Sequence, residues 1–202
     1  MKRKALSLLL MIGGAVLLAG CGALPITVDL KPTLEKSGAD RGSFTEALNL
    51  PPGTNLGSLS EVSFELPDEN GLEVRFEVPD LPARPAGLEL DYAVRLDYQI
   101  ACVDGLGGQA RASAYLAGES PPWEAPLEGA EASAELAPEG SLRLEGQASL
   151  TPEQIDAVLS GKVVLGLKLE FRDLKGTVRE GCTPEISGSY QIERALIKIR
   201  FL

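Results

Sequence analysis

The feature that most constrains the fold is a fifteen-residue stretch, residues 88–102, in which apolar and polar side chains alternate almost without a break. One face would carry Leu88, Leu90, Tyr92, Val94, Leu96, Tyr98, Ile100 and Cys102, and the other Glu89, Asp91, Ala93, Arg95, Asp97, Gln99 and Ala101. This period of two predicts a strand in a sheet with one buried and one solvated face. It would span about 50 Å, so we expect a bulge or bend within it.

Shorter alternating stretches recur along the chain, separated by turns rich in Gly and Pro. They predict further strands near residues 26–31, 61–66, 72–78, 110–116, 130–136, 142–150, 163–171 and 190–201. Asn70-Gly71 predicts a hairpin turn within residues 61–78, and residues 142–150 are expected to return beside residues 130–136. A phase shift near Arg194 predicts a bulge. Residues 32–59 show no sustained period and predict a long loop, with one helical turn near residues 44–48.

One helix is predicted, near residues 152–160. Thr151 suits the N-cap, Pro152 the first helical position, and Gln154 the third position of a capping box. Gly161 follows the apolar stripe and would end the helix. Since no strand–helix–strand repeat indicates a parallel sheet, we expect an all-β fold. The predicted architecture is a mainly antiparallel β-sandwich, or an open barrel, of nine to ten strands with this short helix.

The first 21 residues follow a different pattern. Three basic residues at positions 2–4 precede an apolar run over residues 5–18, and small residues precede Cys21. The run of about 14 residues is shorter than the roughly 20 that a membrane-spanning helix needs. Leu18-Ala19-Gly20-Cys21 resembles the lipobox of bacterial lipoprotein precursors. An ordinary signal peptide, or a short anchor with a cysteine nearby by chance, is the alternative interpretation.

The resemblance implies that residues 1–20 are a signal peptide that is removed, which leaves residues 21–202 as one β-sandwich domain. In such lipoproteins the sulfur of Cys21 carries a diacylglycerol and its amine is acylated, with palmitate as a typical chain. Several acyl chains together give stable anchoring to a membrane. The resemblance therefore implies a cell-envelope protein, anchored by lipid and facing the periplasm or the exterior, and leaves open which membrane holds it.

Charge and composition exclude several classes of function. The net charge is −10, and removal of residues 1–20, which hold three basic and no acidic residues, makes it −13. Such an acidic surface repels phosphate backbones, so no nucleic-acid partner is expected. The chain has no histidine, which excludes Ser-His-Asp and Cys-His hydrolases and zinc sites built on imidazole. No cofactor or metal site is expected.

Lipidation of Cys21 would leave Cys102 and Cys182 as a pair. In an exported domain a disulfide between them is the default expectation, because the compartment is oxidising. The alternative is a reactive thiol, but the chain has no histidine to activate one.

Two groups of carboxylates have both a functional and a structural interpretation. Residues 68–71, Asp-Glu-Asn-Gly, match part of a calcium loop, but Leu72 interrupts the ligand spacing, so a simple turn is favoured. Glu89, Asp91, Asp97 and Asp104 could form an acid pair of the kind that glycosidases use, or a calcium site. A solvated strand face is the simpler interpretation.

The only tryptophan, Trp123, lies between prolines in a predicted loop. It could contact a ligand or partner, or it could plug one end of the sandwich. Tyr92 and Tyr98, both on the buried face, are expected to be core residues.

These observations favour a non-enzymatic lipoprotein that acts as a binding or structural module, with an envelope protein as a possible partner. The alternative is a carrier or receptor for a lipid or other apolar ligand. In that case the small inward residues at 110–116 and 130–148 would leave an apolar cavity of a few hundred Å³ between the sheets. A third hypothesis is an envelope hydrolase with paired carboxylates.

Overall fold

The computed structural model of the protein describes residues 26–59, 61–81, 83 and 85–201. These residues form ten strands, two α-helices and one 3-10 helix at Leu56–Ser58. The strands are β1 (Ile26–Asp29), β2 (Arg41–Ala47), β3 (Glu61–Leu66), β4 (Leu72–Arg75), β5 (Gly87–Ala101), β6 (Val103–Ala117), β7 (Pro126–Glu135), β8 (Glu139–Ser149), β9 (Lys162–Val178) and β10 (Glu185–Arg200). The helices are α1 (Lys31–Ser37) and α2 (Pro152–Leu159).

The strands form two antiparallel sheets of five strands each. Sheet A has the order β1-β10-β5-β8, and β2 pairs with the same edge of β10 as β1 does. Sheet B has the order β3-β9-β6-β7, and β4 pairs with β9. Within the described ranges no strand pairs with both sheets, so the fold is a sandwich and not a closed barrel. The predicted fold class is confirmed.

The chain crosses between the sheets at two opposite ends of the sandwich. We call the end that carries Ile26 the N-terminal end. Residues 76–81, between β4 and β5, lie there, and α2 joins β8 to β9 there. We call the other end the disulfide end. Its crossovers are residues 48–59, 136–138 and 179–184, together with Cys102.

β5 is the long strand that the alternation predicts, and every residue of the predicted inner face from Leu88 to Ile100 is buried. Cys102 leaves the strand. Its φ of 66° is left-handed, and the chain turns there into β6 of the other sheet. The register irregularity lies in the partner strand, where β10 shifts between Ile192 and Arg194. The bulge predicted near Arg194 is thus confirmed, and it lies opposite the middle of β5.

β3 and β4 do not form the hairpin that Asn70-Gly71 predicts. Both pair with β9, Leu66 opposite Leu167 and Leu72 opposite Leu165, so they form one interrupted edge strand. Residues 67–71 project between them. A period of two specifies the buried face of a strand but not its pairing partner, and the 17-residue β9 provides a hydrogen-bonding edge for both segments.

β7 and β8 also belong to different sheets, although they follow one another in sequence. β7 pairs with β6, and β8 pairs with β5. The expectation that they run side by side in one sheet is therefore wrong. The connection over residues 136–138 crosses the sandwich, and buried Leu136 packs in the core at that point.

Residues 32–59 contain more structure than the predicted loop. α1 covers part of them, with Leu34 fully buried, and lies against β10 and β4 across the open edge of the sandwich. β2 is a strand where a helical turn near residues 44–48 was expected. Five of its seven residues are exposed, so the segment has no buried apolar face that would mark it as a strand in the sequence. It is a strand because its backbone pairs with β10.

α2 confirms the predicted helix and its start. The Thr151 hydroxyl accepts a hydrogen bond from the Gln154 backbone N–H at 3.3 Å, and the Gln154 side-chain oxygen accepts one from the Thr151 N–H at 3.0 Å. The Gln154 amide also donates to the backbone oxygen of Leu116 at 3.0 Å. The helix is therefore fastened to sheet B as it crosses from sheet A.

The core lies between the two sheets. Its largest fully buried side chains come from both, among them Leu88, Leu96, Leu116, Leu144, Leu169, Phe171, Ile186, Ile197 and Ile199. Burial of each such side chain contributes about 1.5–3 kcal/mol. Ala110 and Ala112 are also fully buried, which permits close approach of the sheets.

Candidate functional site

The expected lipidation site, Cys21, and the signal segment of residues 1–20 lie outside the described residues. The described chain starts at Ile26, which is the first residue of β1 and lies five residues after Cys21. In the described ranges, no helix has the length and apolar character needed to cross a bilayer. Lipidation of Cys21 therefore stays a prediction from the sequence motif.

The expected disulfide joins Cys102 to Cys182, and the two Cα atoms lie 5.7 Å apart, within the usual range. Cys102 is the corner between β5 and β6, and Cys182 lies in the connection between β9 and β10. Because β5 pairs with β10 and β6 pairs with β9, the bond links the two corners at which paired strands change sheet. The Arg179 backbone N–H donates to the Cys102 oxygen at 2.9 Å beside it.

Trp123 lies half-buried on the outer face of sheet B and not at an end of the sandwich. Its indole N–H donates to the backbone oxygen of Glu69 at 2.8 Å, and its ring meets Tyr115 edge to face with centroids 5.4 Å apart. The ring covers Gly166, where any Cβ would collide with it. Trp123 thus holds residues 67–71 against the sheet. Contact of its exposed part with a ligand or partner stays a prediction.

Glu89, Asp91, Asp97 and Asp104, the four carboxylates from which a catalytic acid pair could come, each form an ion pair with a nearby cation. The pairs are Glu89–Arg200 at 2.7 Å, Asp91–Arg194 at 2.7 Å, Asp91–Lys198 at 2.8 Å, Asp97–Arg95 at 3.0 Å and Asp104–Arg179 at 2.7 Å. A hydrogen bond from Lys198, with the charge of Arg194, lowers the pKa of Asp91, and Arg179 lowers that of Asp104. A glycosidase general acid needs a raised pKa, so neither carboxylate has the character of one.

Residues 68–71 form a turn, as favoured from the sequence. The Asp68 side chain accepts a hydrogen bond from the Asn70 N–H at 2.8 Å, its backbone oxygen accepts one from Gly71 at 3.1 Å, and Gly71 has a φ of 71°. The Asp68 carboxylate thus accepts a hydrogen bond from the backbone of its own turn. Among the residues the structure describes, no three His, Cys, Asp or Glu side chains are arranged to hold a metal ion.

The apolar space between the sheets is small. One space of about 50 Å³ is lined by side chains that include Leu90, Tyr92, Val94, Ala114, Leu127 and Ile192, and a second of about 20 Å³ lies between Leu66 and Tyr190. One water molecule occupies about 30 Å³ in the liquid, and pockets for drug-sized ligands are about 300–1,000 Å³. These spaces are therefore too small for an acyl chain.

Tyr92 and Tyr98 are both buried in the core between the sheets, as expected, and burial raises the pKa of each hydroxyl.

A polar patch on the outer face of sheet A was not predicted from the sequence. It forms a shallow depression near the disulfide end, lined by Ser43, Thr45, Asp97, Gln99, Glu139, Ser141, Ser187 and Ser189. We call it the hydroxyl patch. The pairing of four strands assembles the patch. Ser189 of β10 lies between Ser43 of β2 and Asp97 of β5, and Asp97 lies opposite Ser141 of β8, so the four side chains form one row across the sheet. In the described part of the chain, its five hydroxyls make no side-chain hydrogen bonds.

No protein-family model matches the chain, and no curated protein matches it significantly. The fold defines the class of the protein, a sandwich of two five-stranded antiparallel sheets.

Solved structures with some similarity include a chain of deformed wing virus carrying the GFP gene, with a TM-score of 0.35 and 9% identity, over 81% of this chain and 47% of that one. A Triatoma virus chain has a TM-score of 0.36 and 10% identity, over 88% and 66%. A bacterial lipoprotein from Bacteroides thetaiotaomicron has a TM-score of 0.35 and 7% identity, over 79% and 83%. The chain thus spans about half the length of the first viral chain.

Proposed function

We propose that this protein is a lipoprotein of the bacterial cell envelope, anchored to a membrane by lipid on Cys21. The observation that carries the proposal is the motif Leu18-Ala19-Gly20-Cys21, which follows a basic and apolar leader and precedes a β-sandwich that starts at Ile26. The leader has the composition of a secretory signal, and the motif supplies the cysteine on which the lipid would be placed. The sandwich would then face the periplasm or the exterior.

We further propose that the sandwich is a non-enzymatic module for binding or for envelope structure. Two features support this role. The chain lacks histidine, and the carboxylates of β5, Glu89, Asp91 and Asp97, are each paired with a cation. The small interior space gives no support to the alternative of an apolar-ligand carrier. An envelope protein or polymer that contacts the polar exterior is the expected partner.

The anchor is tested by mass spectrometry of the N-terminal peptide of the protein isolated from bacterial membranes. We expect the peptide to begin at Cys21 and to carry the mass of a diacylglycerol and an N-acyl chain. The matched variant Cys21→Ser should lose this mass and should not be processed at this site. An unmodified Cys21, or a retained Met1, would overturn the proposed anchor.

The binding role is tested by crosslinking the lipidated protein in intact cells and identifying the products. We expect a defined crosslinked partner that is absent when the Cys21→Ser variant is exported with an ordinary signal peptide. Recovery of the same abundant envelope proteins with both chains would count against a specific partner.

A further inference from the structure

The segment between Cys21 and the folded domain is short. Cys21 precedes Ile26, the first residue of β1, by five residues. Whatever their conformation, five residues reach at most about 18 Å, because an extended chain advances no more than about 3.6 Å per residue. A lipid on Cys21 would therefore keep Ile26 within about 18 Å of the acyl-glycerol.

Ile26 lies at one extremity of the sandwich. It pairs with Ile199 of β10, and Ile199 pairs with Leu88 at the start of β5. The disulfide end lies beyond the other end of β5, after Ala101. A strand of 15 residues at about 3.3 Å each is about 50 Å long, so the short segment cannot bring the disulfide end to the same point.

We propose that the N-terminal end of the sandwich faces the bilayer surface and that the disulfide end points away from it. This inference rests on the proposed lipidation of Cys21. The lipid surface is the partner of the N-terminal end, which is formed by β1, residues 76–81 and α2. The hydroxyl patch lies near the disulfide end and stays exposed to other envelope components.

The charges determine how this end meets the membrane. Its exposed side chains include five carboxylates, Asp29, Glu77, Asp80, Glu153 and Asp156, and the exposed cations Arg75 and Arg200 lie at the same end. Carboxylates are costly to bury in hydrocarbon, so the end lies on the hydrated headgroups without insertion. The net charge of −13 without the leader repels anionic headgroups, which favours the small end over the broad sheet faces as the surface that meets the bilayer.

The orientation is tested with fluorophores on two variants of the lipidated protein that each carry one added cysteine, Glu153→Cys and Glu135→Cys. Cys102 and Cys182 stay joined in the disulfide and Cys21 carries the lipid, so only the added thiol is free to react. Both positions are exposed, and both substitutions remove one carboxylate. Glu153 is in α2 at the N-terminal end, and Glu135 ends β7 at the disulfide end. The protein is reconstituted in vesicles of phosphatidylcholine and phosphatidylglycerol with a nitroxide on a small fraction of headgroups. We expect strong quenching at position 153 and none at position 135.

Two controls separate this inference from the proposed function. The same labels on the Cys21→Ser background should lose all quenching, because the protein is then not held at the vesicle. Insertion of twenty Gly and Ser residues after Leu24 adds about 25 Å of root-mean-square length and should sharply reduce quenching at position 153.

The outcomes are distinguishable. Equal quenching at both positions in the lipidated protein would overturn the orientation and leave the anchor intact. Undiminished quenching at position 153 after the insertion would also overturn it, because this end would then adsorb by itself. Absence of lipid on Cys21 by mass spectrometry would overturn both the anchor and the orientation.

Discussion

At four positions on the inner face of sheet A, an aromatic side chain lies directly across from a glycine on the neighbouring strand. The pairs are Tyr190–Gly42, Phe44–Gly188, Tyr98–Gly140 and Tyr92–Gly146. At each glycine a Cβ would lie 3.2 Å or less from the aromatic side chain. The aromatic side chain therefore covers the glycine backbone and fills the volume that a side chain there would occupy.

We expect Gly140→Ala to lower the free energy of unfolding by about 1–3 kcal/mol, because the new methyl group collides with the Tyr98 ring. This ring cannot move aside easily, since it is 4% exposed and meets Phe171 edge to face at 5.3 Å. Urea unfolding gives the measurement. Gly87→Ala is the control, because no atom lies within 4 Å of its Cβ, and it should change stability by less than about 0.5 kcal/mol. Equal effects would contradict the packing argument.

Asp91 lies on the outer face of sheet A and has two cations in direct contact. Arg194 and Lys198 lie on β10, the strand that pairs with β5, and the Asp91 side chain is 14% exposed. Their hydrogen bonds and charges lower its pKa below the unfolded value of about 3.9. Its ionised form therefore stabilises the fold above that value, and this contribution is lost as the pH falls towards the lowered pKa.

We expect Asp91→Asn to reduce the free energy of unfolding by about 1 kcal/mol at pH 7. The difference from the unsubstituted protein should shrink as the pH falls below about 4, because Asp91 is then protonated in the unfolded chain. Urea unfolding at pH 7 and at pH 3 measures both values. Asp97→Asn is the control, since Asp97 is 42% exposed and should contribute little. A difference that grows at low pH would contradict the assignment.

At the scale of elements, one edge of each sheet is an interrupted strand, and the opposite edges are β8 in sheet A and β7 in sheet B. In sheet A, β1 and β2 follow one another along β10, with α1 between them. In sheet B, β3 and β4 follow one another along β9, with residues 67–71 between them. Short edge strands broken by a projecting segment offer no long unpaired edge to another chain, which protects these two edges against edge-to-edge association. Trp123 fastens one of the two segments to its sheet.

The disulfide joins the corner between β5 and β6 to the connection between β9 and β10. We expect the double variant Cys102→Ser with Cys182→Ser to lose about 4 kcal/mol of unfolding free energy, because the bond closes a loop over a sequence separation of 80 residues. Chemical unfolding with and without reductant measures this loss. Reductant should destabilise the unsubstituted protein by a similar amount and leave the double variant unchanged. A response of the double variant to reductant would contradict this account.

At the scale of the whole molecule, a densely filled interior lies between two polar outer faces. The spaces between the sheets measure about 50 and 20 Å³, and Asp91 and Glu89 on the outer face of sheet A are held in ion pairs. Sequence alone left open whether the small inward residues leave a cavity. In the structure Ala110 and Ala112 are fully buried, and the spaces between the sheets measure only about 50 and 20 Å³.

We therefore expect no apolar ligand to bind in the interior. A long-chain fatty acid added to the Cys21→Ser form should not change its melting temperature, because only a ligand that binds the folded state raises it. A saturable rise in melting temperature would contradict the closed interior.

The sequence by itself determined the features that depend on neighbours along the chain. Alternation identified the buried face of β5 and the bulge near Arg194, and the capping box at Thr151 identified α2, because strand faces and helix starts follow from local periodicity and local hydrogen bonds. Only the tertiary structure decided which strands pair. It separated β7 from β8, joined β3 and β4 along β9, formed β2 from an unpatterned segment and assembled the hydroxyl patch. The physical reason is that backbone hydrogen bonds are the same for every residue type, so partner choice is set by the packing of the two sheets and not by any one segment.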